Sequence, residues 1–286
     1  MAKYALFLGC NIPARVKEYE TSARAVLERL GVGLEDSRWF TCCGYPLRNL
    51  DRSAFLLSAA RNLALAHSMG LDMLVLCKCC FGTLKAAQDI LETDEGARHG
   101  VERGLRAQGL EYAEGVAVKH ILSVLRHEVG IEAIKERITN PLSGLRIAAH
   151  YGCHALRPAR VTGFDDPVAP SIMEELVEAA GASSLEWDPK LDCCGAPLLG
   201  VNDELSMDLA RSKLGKAQRA GADYLCTACP YCQLQFSAAW ERAVQGGSDA
   251  VPVVLYTSLL AQSMGILDLG LERTAGEEAS GVEAAS

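Results

Sequence analysis

At 286 residues the chain is long enough for two domains of ordinary size, and 49% hydrophobic with 22% charged residues describes a globular protein and excludes a largely disordered one. A net charge of -8 without a basic stripe argues against a nucleic-acid partner. No apolar stretch approaches the length of a membrane span, and the start Met1-Ala2-Lys3-Tyr4 leads into the first element without a signal-like cleavage region, so a cytoplasmic location is expected.

Along the chain, residues 3–8 form a short strand-like run ending in Leu8-Gly9-Cys10, followed by a helical pattern carried by Tyr19, Ala23, Val26, Leu27 and Leu30. Gly31 stops that helix, and the short segment Trp39-Phe40-Thr41 runs into Cys42-Cys43-Gly44-Tyr45-Pro46-Leu47. A second helix is expected over 54–69, then a buried strand over 70–76 that enters Cys77-Lys78-Cys79-Cys80. Residues 92–115 read as an extra helical pair, and 116–122 as a last strand leading into a helix.

The same order then repeats. A strand over 145–150 ends in Tyr151-Gly152-Cys153, and Ile172, Leu176, Val177 and Ala180 mark a helix that Gly181 stops. Leu185-Glu186-Trp187 leads to Cys193-Cys194-Gly195-Ala196-Pro197-Leu198, a helix follows over 204–220, and a strand over 221–228 enters Cys229-Pro230-Tyr231-Cys232. In both copies 33 or 34 residues separate the cysteine pair from the Cys-x-x-Cys, and ten of the 12 cysteines belong to the pattern. Strands alternating with helices make the fold class α/β: two tandem domains, each with a small parallel sheet flanked by helices and its cysteines at the carboxyl ends of the strands. The expected division is 1–130, a linker over 131–144, 145–268, and a disordered acidic tail over 269–286.

Many cysteines in a reducing compartment point to thiolate ligands or redox thiols and away from a disulfide framework. A tetrahedral zinc and a cubane iron-sulfur cluster each take four ligands, whereas each copy offers five. Five suit a cluster more extended than a cubane, or a cubane with one cysteine free for chemistry. Adjacent cysteines on a strand would point to opposite faces, so one centre can use both members of a pair only if the backbone turns there, and the Gly and Pro just behind them supply that turn. Cys79 and Cys226 occupy different places in the two copies and are read as inert. No Gly-x-Gly-x-x-Gly, phosphate-binding Gly-rich loop or Gly-x-Ser-x-Gly occurs, so nucleotide chemistry is not supported.

The duplicated Cys, Cys-Cys-Gly, Cys-x-x-Cys signature resembles the CCG-domain (cysteine-rich domain) family, and the B subunit of heterodisulfide reductase within it. Leu8-Gly9-Cys10, the run His150-Tyr151-Gly152-Cys153-His154-Ala155-Leu156-Arg157-Pro158, and Gly109-Leu110-Glu111-Tyr112 leading to Val118-Lys119-His120 support it, over nearly the whole chain to about Asp268. The resemblance implies two noncubane [4Fe-4S] clusters, one on Cys10, Cys42, Cys43, Cys77 and Cys80, the other on Cys153, Cys193, Cys194, Cys229 and Cys232. A disulfide would be cleaved between them, or thiols and sulfur species oxidised in reverse.

The resemblance further implies two partners in the same complex, one a ferredoxin-type and the other a flavoprotein subunit, with a small disulfide or thiol, or a lipoate-carrying protein, as substrate. Electron transfer to quinone, or from a succinate or hydroxyacid oxidase, is the alternative within the family; a zinc or cluster scaffold without catalysis is the alternative outside it. Candidate proton donors are His154 and His150, which flank Cys153, and Lys78 inside the first Cys-x-x-Cys. Each has a competing role: a core hydrogen bond for His150, and balance of cluster charge for Lys78 and Arg157. Tyr231 and Phe81 are expected to pack around the clusters.

Overall fold

The computed structural model describes residues 2–247 and 250–272. Most of the acidic tail expected at 269–286 therefore lies outside the described residues. The first half runs β1 (Lys3–Phe7), α1 (Asn11–Arg15), α2 (Lys17–Arg29), β2 (Gly33–Glu35), α3 (Arg52–Ser68), β3 (Asp72–Val75), α4 (Lys78–Thr93), α5 (Glu95–Arg106) and β4 (Val118–His120). It closes with α6 (Ile121–Ser123), a π-helical turn over Val124–Val129, and α7 (Ile131–Lys135). The second half repeats this as β5 (Arg146–Ala149), α8 (Ala159–Thr162), α9 (Ile172–Ala179), β6 (Ser183–Ser184), α10 (Asp203–Arg219), β7 (Tyr224–Thr227), α11 (Pro230–Gln245), β8 (Val253–Leu255) and α12 (Tyr256–Ser263).

Each half builds one four-stranded sheet, in the orders β2-β1-β3-β4 and β6-β5-β7-β8, with every pairing parallel. The central strands are buried along nearly their whole length, as sheets covered by helices on both faces require. Phe7 pairs with Val75 and Ala149 with Cys226, so β1 with β3, and β5 with β7, deliver their carboxyl ends side by side. The strand order reverses between these two strands, and the crevice that opens there is where open α/β sheets hold their ligands. Cys10, Cys77, Cys153 and Cys229 follow these ends, and the Cys-Cys pairs lie on the loops that leave the neighbouring strands β2 and β6.

The two halves exchange closing helices. α12 ends the second half yet packs on α2 of the first, where Ser22 Oγ and Thr257 Oγ1 are 2.7 Å apart. Reciprocally, α6, the π-helical turn and α7 end the first half and pack on α9 of the second, with Arg126 bonded to Glu175. One continuous hydrophobic core results, and it fixes the two cysteine-bearing edges against one another.

Two details differ from the sequence expectation. The region 92–115 holds one helix rather than a pair, because α4 continues unbroken to Thr93 before Asp94 caps α5 through the Ala97 N–H. The short strands β2 and β6 begin just past the glycines that stop α2 and α9, without any alternation of apolar and polar residues to announce them.

Candidate cluster sites

Cys10 and Cys153 follow β1 and β5 directly. The pairs Cys42-Cys43 and Cys193-Cys194 are redirected by Gly44 and Gly195, whose φ angles of +89° and +85° lie in the left-handed region. A Cβ at these positions would come 2.8 Å from Phe55 O and 2.5 Å from Ser206 O, so the turn is pressed onto the following helix. The caps of those helices match: Asp51 accepts from Ala54 N in α3, and Asn202 from Leu205 N in α10. Cys77 and Cys229 stand at the N-terminal ends of the 16-residue helices α4 and α11, whose dipoles favour thiolate there. In α4 the Cys80 N–H donates to Cys77 Sγ at 3.5 Å.

Within each set of five the thiols interact as a chain, with Cys232 Sγ 3.5 Å from Cys194 Sγ. Cys10, Cys42, Cys43, Cys80 and Cys77 interact in that order, as do Cys153, Cys193, Cys194, Cys232 and Cys229. Hydrogen bonds from Cys10 and Cys43 pull the Cys42 thiol far below its usual range, and those from Cys153 and Cys194 do the same to Cys193. Their donors are pushed up in return, Cys10 and Cys153 foremost. The thiolate form is thus favoured at an equivalent place in each set, and in the second set also at Cys229, which hydrogen bonds from Cys232, Cys77 and Cys79 hold well below the usual range. Ten soft donors in two runs of five fit polynuclear iron-sulfur groups better than single ions, which take three or four protein ligands each.

The sets also meet each other. Cys229 Sγ is 4.0 Å from both Cys77 Sγ and Cys79 Sγ, and these three sulfurs lie within 4.8 Å of one another. The inner residues of each Cys-x-x-Cys cross to the opposite half: Lys78 and Cys79 line a cleft against the second set, while Pro230 and Tyr231 line a smaller one against the first. Gly82 makes this crossing close, since a Cβ there would stand 2.3 Å from His154 O.

All three expected proton-handling residues come together at the second set. His154 lines the larger cleft with Nδ1 3.1 Å from Cys79 Sγ and its ring edge-on to Tyr45 at 5.1 Å. His150 is fully buried with Nε2 3.3 Å from Cys232 Sγ, and it forms a compact group with Cys194 and Cys232. Lys78 is 2% exposed and donates to the His150 carbonyl at 3.0 Å. Tyr231 sits between the clefts, 5.7 Å from Tyr45, and Phe81 packs with His120 and Phe164 behind α4. Arg157 is exposed.

Of the two cysteines outside the repeat, Cys226 is buried in β7, and burial pushes its thiol up to about 12. Cys79 lies inside the site. Its failure to repeat makes it look inert in the sequence, and its neighbourhood exists only once the second half folds against it. Lys213 and Asn62 are likewise inconspicuous in the sequence. They stand nineteen residues past Cys194 and Cys43 on α10 and α3, and superimposing the two cysteine motifs matches them.

Fold and site together define a duplicated cysteine-rich α/β protein with two adjoining thiolate centres. Residues 4–85 and 147–237 each match the cysteine-rich CCG domain. The chain is 35% identical to the B subunit of the ferredoxin/F(420)H(2)-dependent CoB-CoM heterodisulfide reductase of Methanosarcina acetivorans, across 96% of this chain and 94% of that one. It is 33% identical to an Archaeoglobus profundus protein that is itself named for its likeness to the heterodisulfide reductase B subunit, across 93% and 91%. It is 32% identical to the 8-methylmenaquinol:fumarate reductase membrane anchor subunit of Wolinella succinogenes, across 94% and 95%. A hypothetical protein from Helicobacter pylori shares the fold with a TM-score of 0.72 at 17% identity, covering 94% of this chain and 50% of that one. The chain thus belongs to the CCG cysteine-rich domain family, in the branch that holds the heterodisulfide reductase B subunits, which are parts of oxidoreductases. Among the described residues no helix is long and apolar enough to cross a membrane.

Proposed function

We propose that the chain is the catalytic iron-sulfur subunit of a heterodisulfide-reductase-like complex, reducing a disulfide or running in reverse to oxidise thiols or other sulfur species. The reading rests above all on the abutment of two complete five-cysteine sets at Cys77 and Cys229, 4.0 Å apart, beside a cleft reached by residues of both halves. Cys10, Cys42, Cys43, Cys77 and Cys80 would hold one noncubane [4Fe-4S] cluster, and Cys153, Cys193, Cys194, Cys229 and Cys232 the other. When bound, two such clusters supply single electrons from two sides, matching the two that a disulfide consumes as it takes up two protons and leaves as two thiols.

The chain's own residues shape the remainder. Tyr45 and Tyr231 wall the cleft with aromatic surface, which limits water around the sulfur atoms. His154 opens onto the same cleft and is the side chain assigned to hand protons to departing thiolates. His150 is fully buried away from the cleft, and Lys78 borders it but turns its ammonium to the His150 carbonyl, so both act on the second set through hydrogen bonding and charge. Electrons would come from the ferredoxin-type and flavoprotein subunits of the same complex in the cytoplasm, and the disulfide would be a small molecule or a lipoate-carrying protein.

The direct test is anaerobic consumption of a small disulfide with reduced methyl viologen as donor. Two viologens oxidised and two thiols released per disulfide support the reading; viologen oxidation indifferent to the disulfide refutes it. A second reading, electron delivery to or from a quinone, draws on the 32% identity to the menaquinol:fumarate reductase anchor subunit. It predicts that a menaquinone analogue, and no disulfide, reoxidises the reduced protein.

A further inference from the structure

Superposing the cysteine motifs of the two halves pairs each residue near one set with a counterpart near the other, and the charges do not match. Asn62 on α3 donates to Cys42 O at 3.0 Å and accepts from Thr41 N at 2.8 Å, bracing the first Cys-Cys-Gly turn with a neutral amide. Its counterpart on α10 is Lys213, whose ammonium donates to Asp192 O at 2.6 Å beside the second turn and lies 5.5 Å from the Trp187 ring. Lys78 corresponds to Pro230. It crosses from the first half into the second, meeting His150 O at 3.0 Å, Met173 Sδ at 3.2 Å and the Tyr151 ring at 5.4 Å. Lys78 and Lys213 are the two buried lysines among the described residues, 2% and 3% exposed, and both serve the second set.

The groups these two ammoniums touch are carbonyls, a thioether and aromatic rings, and neither is in a salt bridge among the described residues, although the Asp192 carboxylate bears on Lys213 through space. Glu174, which bears on Lys78, is itself paired with Lys190 at 3.0 Å. Burial disfavours the protonated form of both lysines, and the thiolates of the second set oppose that effect. A third difference points the same way. His150 Nε2 lies 3.3 Å from Cys232 Sγ, whereas the first half carries Phe7 at that place, three residues before Cys10.

We infer that Lys78 and Lys213 make the second cysteine set the electron-accepting member of the pair, reduced at a higher potential than the first. Taking one electron from an external one-electron donor adds one negative charge to the site that receives it. A buried cation stabilises that charge far more than a solvent-exposed one does. Net charge and hydrogen bonds to sulfur are among the main determinants of iron-sulfur potentials. The first set, served by Asn62, Pro230 and Tyr231, has no such buried lysine among the described residues. Electrons arriving at either set therefore settle at the second, beside the larger cleft with Cys79 and His154.

This inference rests on the reading that both sets hold redox clusters, and its test is an EPR-monitored redox titration of anaerobically purified protein, with iron and sulfide assayed on each sample. Lys213→Asn gives the second half the residue the first half uses, and Lys78→Met replaces a buried cation with an apolar chain of similar length among Met173 and Tyr151. The wild type should show two midpoints. The higher should fall in each variant and furthest in the double variant while the lower holds, Lys213→Arg should restore it, and Asn62→Lys should raise the lower one. Full iron content with both midpoints unmoved in Lys213→Asn and Lys78→Met, or movement of the lower midpoint, overturns the inference and leaves the cluster reading standing. Should Lys213→Asn lose its iron, Lys78→Met decides by the same criterion. A wild type without iron and sulfide removes both.

Discussion

Cys77 and Cys229, separated by 152 positions in the chain, bring their sulfur atoms within 4.0 Å of each other. Each stands at the start of the helix that carries its Cys-x-x-Cys, so the approach sets two helix N-termini, and the positive ends of two dipoles, against one shared region of thiolates. The exchange of closing helices between the halves holds that approach in place. A scaffold that bound two independent structural metals would have no need to bring them into contact.

Replacing Cys193 by Ser removes one of the five thiolates of the second set, one that hydrogen bonds from Cys153 and Cys194 favour in its charged form. Iron and acid-labile sulfide should fall to about half, because the first set is complete without it. Circular dichroism should be unchanged, since Cys193 is exposed and carries no core packing. Undiminished iron in this variant would remove Cys193 from the ligand set.

Gly195→Ala tests the turn rather than the ligands. A φ of +85° costs a non-glycine residue roughly 1–3 kcal/mol, and the added Cβ would meet Ser206 O at 2.5 Å. Thermal unfolding should shift down, and the second set should lose iron although every cysteine remains.

Asn202→Ala removes only the cap of α10, an exposed hydrogen bond of 3.0 Å to Leu205 N. The expected loss is about 1 kcal/mol in urea unfolding, with iron content retained. The matching change Asp51→Ala at α3 should cost a similar amount, as the duplication requires.

His120 supplies a pH dependence. Burial, followed by the charge of Lys78, lowers its pKa from 6.5 to about 3. The unfolded chain therefore binds the proton more readily than the folded one. This contribution to stability is fully present above about pH 6.5 and is lost as pH falls from there towards about 3, at up to about 1.4 kcal/mol per pH unit. His120→Asn, which keeps an acceptor for the Leu122 N–H, should flatten the urea midpoint between pH 6.5 and 5 relative to the wild type. Parallel curves would show that His120 carries no such burden.

The ten cysteines of the repeat, the order of strands and helices and the duplication itself were legible because they are local or repeated: motif spacing, helical periodicity and glycine stops. What stayed hidden depends on tertiary contact, between the halves or within one. Cys79 has no counterpart in the second motif, and its closeness to His154 and Cys229 arises only when α4 docks on the 153–158 loop across Gly82. Lys213 looks like any lysine on an amphipathic helix until its position is matched to Asn62. The strands β2 and β6, three and two residues long, are held by pairing with β1 and β5 and carry no pattern of their own.

The most direct measurement is the metal content of anaerobically purified protein: iron, acid-labile sulfide and zinc in one sample. Two four-iron clusters on the two cysteine sets require about eight irons and about eight sulfides per chain. One or two zincs with no sulfide would contradict the account and leave the chain a structural metal scaffold.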